Sequence, residues 1–197
     1  MHTDTSAAGR SAGRPRSTRA RQAILATALR LVKQEGFSAL TIEGIAREAG
    51  VGKPTIYRWW PSKGAIVFDA LQQHAQQALP TPPDGPLAEQ LEVWLKTLFK
   101  TLNGDTGEIV RGLMAEAQRD PVFAAFFRTE FILVRRQPLL TILHEGIKRG
   151  ELPTDTDSEV MGDLIYGAMW YRLLAQHAPL DEKCAHDIVR TLLYNYA

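Results

Sequence analysis

The chain has 197 residues, 45% of them hydrophobic and 23% charged, an ordinary globular composition with apolar material for one or two cored domains. Its formal charge of +1 conceals an asymmetry, because residues 1 to 63 hold 11 Lys and Arg against 4 Asp and Glu, net +7, and residues 64 to 197 hold 12 against 18, net −6. A basic head on an acidic body suits a chain that meets a polyanion with one part only.

The single cysteine, Cys184, excludes a disulfide framework within the chain and any multi-cysteine metal cluster. No uncharged apolar run approaches the roughly 20 residues of a membrane-spanning helix. The segment 1–16 is polar, with Arg10, Arg14 and Arg16 but no apolar stretch of the secretory kind, so the expectation is a cytoplasmic protein.

In chain order, residues 1–16 read as a flexible basic arm, being rich in Gly, Ala, Ser and Arg. A first helix is expected from about Thr18 to Glu35, with Ile24, Leu25, Ala28, Leu31 and Val32 on one face and Gly36 as its stop. Thr41 can cap a short helix that ends at Gly50, with Ile42, Ile45 and Ala46 as its apolar side. A further short helix covers about Lys53 to Trp60 and is closed by Pro61. Ser62 then caps a longer one to about Leu79, striped by Ile66, Val67, Ala70, Leu71 and Ala75.

The run Pro80-Thr81-Pro82-Pro83-Asp84-Gly85-Pro86 cannot continue a helix, since proline lacks the N–H and disfavours helical geometry before it. The boundary between a head, 17–79, and a body, 80–197, is placed there. Five body helices are expected over about 86–102, 106–118, 121–149, 157–178 and 181–196, giving about nine helices in an all-α chain. Asp105 with Glu108 has the spacing of a capping box, Asp120-Pro121 is a cap followed by proline, and Pro138 predicts a kink or two shorter helices.

The stretch Thr41 to Lys63 carries the chemistry. Two short helices joined by Gly50-Val51-Gly52 form a helix-turn-helix, a motif that sets its second helix in the major groove of DNA. Ile56 joins Ile45, Ala46 and Val51 in a small core, leaving Lys53, Pro54, Thr55, Tyr57, Arg58 and one tryptophan outward. That side offers a phosphate-seeking cation, hydroxyls, a guanidinium suited to guanine, and flat groups that pack on sugar or a thymine methyl. Trp60 is assigned to the core.

The segment Leu40-Thr41-Ile42-Glu43-Gly44-Ile45-Ala46-Arg47-Glu48-Ala49-Gly50-Val51-Gly52-Lys53-Pro54-Thr55-Ile56-Tyr57-Arg58-Trp59-Trp60-Pro61-Ser62-Lys63 resembles the DNA-binding segment of the TetR (tetracycline repressor) family of bacterial transcriptional regulators. The resemblance covers roughly residues 18 to 79; the remainder is similar only in length, helical content and position. It implies that Thr41 contacts a phosphate, that Lys53, Thr55, Tyr57 and Trp59 meet backbone or bases, that Arg58 reads a base, and that Lys63 anchors a phosphate; Pro54, on the same outward face, is counted with them as a DNA-binding candidate. Gly52 stands where the family often has a capping serine, and Trp59-Trp60 replaces a common His-Phe or Arg-Phe. The implied function is a regulator, usually a repressor, that binds a pseudo-palindromic operator as a homodimer and is released by a small molecule.

In the body, Phe123, Phe126, Phe127, Phe131 and Val134 recur at helical spacing, which a packed core explains for any one of them. Part of the aromatic set is expected to line a ligand pocket for an apolar or amphipathic effector: Trp94, Phe99, Met114, Phe127, Phe131 and Trp170, with His144, Glu116, Gln118 and Arg128 as polar anchors. By the resemblance, the last two helices pair with those of a second copy; they carry stripes at Val160, Leu164, Ala168, Tyr171 and Ala175 and at Ile188, Val189, Leu192, Leu193 and Tyr196, of which Leu164, Tyr171, Leu192 and Tyr196 are expected in the contact. Gly162, Gly167 and Ala168 would permit close helix approach. Burial within one chain explains these stripes nearly as well.

An enzyme would need a nucleophile or metal site. The five histidines show no HExxH or other ligand spacing, Cys184 has no motif around it, and His144 and Glu145 point to different helix faces. No catalytic residue, cofactor or metal is expected. A purely protein-binding adaptor would leave the chemistry of Lys53 to Lys63 unexplained.

Overall fold

The computed structural model describes residues 14–74 and 84–194, and its regular structure there is helical throughout. Helix α1 spans Arg14–Ala39, starting earlier than expected, so that Arg14 to Arg16 belong to it while residues 1–13 of the predicted arm lie outside the described residues. The helical run breaks at Gly36, where the sequence places its stop, with φ 80° and ψ 162°, a conformation that a Cβ would disfavour, and a short helical piece continues beyond the kink to Ala39.

Helix α2, Ile42–Ala49, begins where Thr41 accepts a hydrogen bond from the Gly44 amide at 3.0 Å. It stops at Gly50, whose φ of 66° lets its own amide turn back to the last carbonyls. Helix α3, Lys53–Tyr57, takes Pro54 in its first turn, where no N–H is missed. Helix α4, Lys63–His74, is capped as expected by Ser62, which accepts from the Ala65 amide at 3.3 Å. All five apolar positions predicted on α1 are buried, with Ile45, Ala46, Ile56, Ile66, Val67, Ala70 and Leu71. Ala75 lies outside the described residues.

The body follows as α5 (Leu87–Leu102), α6 (Asp105–Ala117), α7 (Pro121–Phe127), α8 (Leu133–Lys148), α9 (Ser158–Ala175) and α10 (Glu182–Leu193). Two expectations on these helices are corrected. Gly104, not Asp105, occupies the position before α6, so Glu108 no longer stands where it could reach back. It pairs with Arg111, while Asp105 pairs with Lys33 of α1 at 3.1 Å. The third body helix is divided upstream of Pro138, by a π turn over Arg128–Ile132 in which the Leu133 amide bonds the Arg128 carbonyl. Pro138 is accommodated inside α8.

Helices α1 and α4 pack on α6 rather than standing apart from the body, and a continuous apolar core runs through both parts. Residues 80–83 of the proline-rich segment lie outside the described residues, and the body opens instead on a cap supplied from afar, the Glu151 carboxylate accepting from the Leu87 amide at 2.5 Å. Among the described residues no helix is long and apolar enough to cross a membrane.

Candidate nucleic-acid interface and interior cavity

The turn of α3 sorts its side chains as the sequence requires. Ile56 is fully buried against α2, whereas Lys53, Pro54, Tyr57, Arg58 and Trp59 are exposed and Thr55 is half-buried. Trp60 is buried, and its indole N–H donates to Asp69 at 2.9 Å. Asp69 also accepts from Arg21 at 2.5 Å, and the Arg21 guanidinium lies 5.7 Å from the Trp60 ring centroid and 6.0 Å from that of Trp59. This Arg21–Asp69–Trp60 group ties the end of α3 to α1 and α4. Nothing in local periodicity marked it, since its members are far apart in sequence.

The acids near the motif hold its helices together. Glu48 pairs with Arg30 of α1, and Glu43 pairs with Lys53 across the turn at 2.9 Å. The Lys53 ammonium, as hydrogen-bond donor and as charge, holds the Glu43 carboxyl below its usual range, and Glu43 in turn raises Lys53. Arg58 keeps its guanidinium 5.8 Å from the Trp59 ring centroid, at the edge of the exposed face.

Lys63 departs from its expected place as an outward phosphate anchor. Its ammonium donates to the Phe37 carbonyl at 3.0 Å and the Leu40 carbonyl at 3.1 Å, and lies 4.7 Å from the Phe37 ring centroid. Both carbonyls lie beyond the kink at Gly36, so the cation on α4 ties down the stretch of chain between that kink and α2.

The body contains a cavity of about 510 Å³ walled by α5, α6, α8 and α9 and reached by Leu71 of α4. Of the predicted lining, Phe131 and Trp170 border it. Trp94, Phe99 and Phe127 are core instead, each at most 2% exposed, and Met114 also lies away from the cavity. Trp94 packs edge-on against Tyr166 with 5.9 Å between centroids. Phe127 is stacked between Phe123 and Phe131, at 5.8 and 4.9 Å, so one helical turn separates a core ring from a cavity ring.

None of the predicted anchors lines the cavity: His144 is hydrogen-bonded to Ser158 at 2.8 Å, and Glu116, Gln118 and Arg128 are elsewhere. The polar lining comes from Thr97, Thr101, Thr106, Arg135, Arg136 and Asp163, which sequence pattern alone did not single out. Tyr166 is mostly buried, its phenol donating to the Arg135 carbonyl at 2.6 Å; burial pushes its ionisation well above the usual range against the opposing charges of Arg135 and Arg136.

On α9, Leu164 and Tyr171 are 58% and 65% exposed and continue a stripe with Val160 and Leu174. Leu192 instead is half-buried against the chain's own core, and Tyr196 lies outside the described residues. Gly162 packs against Leu140 and Arg136, whereas Gly167 has open space beside it.

A helix-turn-helix whose second helix bares cations, hydroxyls and rings, mounted on a helical body with a cavity open to solvent, defines a DNA-binding regulator. The family model described as "Bacterial regulatory proteins, tetR family" matches residues 24–70, and that described as "Tetracyclin repressor-like, C-terminal domain" matches residues 81–192. The chain belongs to the tetR family of bacterial regulatory proteins, and it is a DNA-binding transcriptional regulator rather than an enzyme.

Among its relatives is the HTH-type transcriptional regulator YdeS of Bacillus subtilis, 36% identical over 177 residues, which are 90% of this chain and 89% of that protein. The solved structure of the TetR family transcription regulator SCO0332 is 30% identical with a TM-score of 0.73, covering 89% of this chain and 97% of that one. That of the flavonoid-responsive regulator FrrA is 25% identical with a TM-score of 0.63, covering 91% and 95%.

Proposed function

We propose that this regulator is a repressor that binds a pseudo-palindromic operator as a homodimer and is released when an apolar or amphipathic small molecule fills the body cavity. Base and backbone contacts fall to the α3 face, Lys53, Pro54, Thr55, Tyr57, Arg58 and Trp59, with Thr41 presenting its hydroxyl to a phosphate at the start of α2. Lys63 orders the turn behind that face.

The observation that carries the release mechanism is that one helix serves both parts. At its first residue α4 holds the stretch beyond the Gly36 kink through Lys63, and further along Leu71 borders the cavity. Phe68 of the same helix meets Phe127 and Phe131 edge-on, at 6.4 and 6.0 Å between centroids, so a ligand against Phe131 bears on α4 through packed rings. A ligand shifts the equilibrium only by its preference for the released state, about 1.4 kcal/mol for a tenfold preference. FrrA, a flavonoid-responsive relative, supports a small-molecule effector for this body fold.

A lone helix-turn-helix covers few base pairs, so two heads must be held about 34–36 Å apart, or a multiple of that, to enter successive major grooves. The bared α9 stripe supplies an apolar face for that pairing. The test is Leu164→Glu in the full chain, followed by sedimentation and operator binding. The proposal expects loss of dimer mass together with loss of operator affinity, and a variant that stays dimeric and binds normally contradicts the assignment.

A further inference from the structure

Two adjacent arginines stand at the cavity wall, and only one of them is neutralised. Arg136 is paired with Asp163 at 2.5 Å and with Glu159 at 2.7 Å, so its charge is balanced within the protein. Arg135 has no carboxylate partner among the described residues. Arg135 is half-buried as a residue, and its guanidinium lies 5.6 Å from the ring centroid of Phe131, itself a cavity residue.

A guanidinium with donors to spare, set beside apolar walls, is matched by a ligand carboxylate, which planar paired hydrogen bonds satisfy. Leu71, Leu98, Val110, Met169 and Trp170 supply apolar wall for the body of such a ligand, and the threonines beside them are neutral and do not compete for Arg135 as an acid would. Asp163, the acid that does line the cavity, is taken by Arg136, and no carboxylate among the described residues pairs with Arg135.

Resting on the reading of this cavity as the effector site, we propose that the effector is an apolar carboxylic acid, bound as its anion with the carboxylate on Arg135 and the body against Phe131 and Trp170. A ligand carrying an ammonium group is disfavoured at the same place by the uncompensated guanidinium.

Calorimetric titration of the full chain with 2-naphthoate, 2-naphthalenemethanol and 2-naphthylmethylammonium separates head group from body, since the three share one ring system. The naphthoate is expected to bind roughly tenfold or more tightly than the alcohol, the worth of one charge-assisted contact, and the ammonium most weakly. Arg135→Gln should abolish the preference for the acid while leaving the alcohol's affinity within about a factor of two. Leu98→Trp and Thr106→Phe, from different walls, should obstruct all three probes.

If the alcohol binds, is obstructed by both wall variants, and the acid is no tighter, the carboxylate proposal is overturned and the cavity reading stands. A preference for the acid that survives Arg135→Gln overturns it equally. If no probe binds, or the wall variants leave binding unchanged, the cavity reading fails and the proposal with it.

Discussion

The Phe37 side chain rests on the bare backbone of Gly112, so the end of α1 and the middle of α6 meet with no side chain from α6 between them. A Cβ on Gly112 would stand 2.7 Å from the Phe37 Cγ, an atom too near its own backbone to move aside. Gly112→Ala is therefore expected to destabilise the chain by about 1–3 kcal/mol through overpacking, outweighing the roughly 1 kcal/mol that alanine brings to a helix interior. Denaturant unfolding measures the balance, and a net stabilisation would mean that the seam is looser than this contact requires.

Lys63 completes the carbonyls of Phe37 and Leu40, which sets its prediction apart from that of a phosphate anchor. Lys63→Met should cost about 1–3 kcal/mol of stability, as for hydrogen bonds made by a charged donor. The salt dependence of DNA binding should stay unchanged. A slope lowered by about one unit would instead place the ammonium on a phosphate.

Glu43 occupies Lys53 in the free protein, so DNA must compete with a carboxylate for that cation. Glu43→Gln should raise affinity for operator and scrambled DNA alike by a factor of a few, because the released charge meets phosphate and not a base. An affinity gain confined to operator DNA would count against the backbone role of Lys53.

Glu151 caps α5 from across the body, and the Leu87 amide holds its carboxyl below the usual range, assisted by Arg149 at 2.6 Å. A depressed carboxyl binds its proton less readily folded than unfolded, so its contribution is full above the unfolded value of about 4.3 and fades as pH falls through the lower folded one. Glu151→Gln should therefore destabilise the chain at neutral pH, with the difference from the unaltered protein shrinking on acidification. Thermal melts from pH 7 downward test this, and a difference that does not vary with pH would contradict it.

The head was legible because its signals are local. Thr41, Gly50 and Ser62 act within one turn of where they stand, and burial of Ile56 fixes which side of α3 faces outward. The carbonyl contacts of Lys63 were not legible because its partners lie on the far side of the kink at Gly36, a long-range relation that spacing does not encode. The cavity was legible only in part for a similar reason. A 3.6-residue stripe marks Phe127 and Phe131 as equally apolar, but only the packing of α4 and α7 makes one a core ring and the other a wall. The division of the third body helix also escaped, since proline draws attention to Pro138 while the π turn over Arg128–Ile132 carries no such marker.

The central claim is that the exposed face of α3 reads a two-fold DNA site. Sequencing of DNA fragments selected from a random library by the full chain, in parallel with its Arg58→Ala variant, tests it most directly. The account predicts an inverted repeat with half-site centres about one helical turn, or a multiple of it, apart, and loss of preference at one base pair per half-site in the variant, worth about 1–3 kcal/mol. Absence of an enriched repeat, or identical preferences for the two proteins, would contradict it.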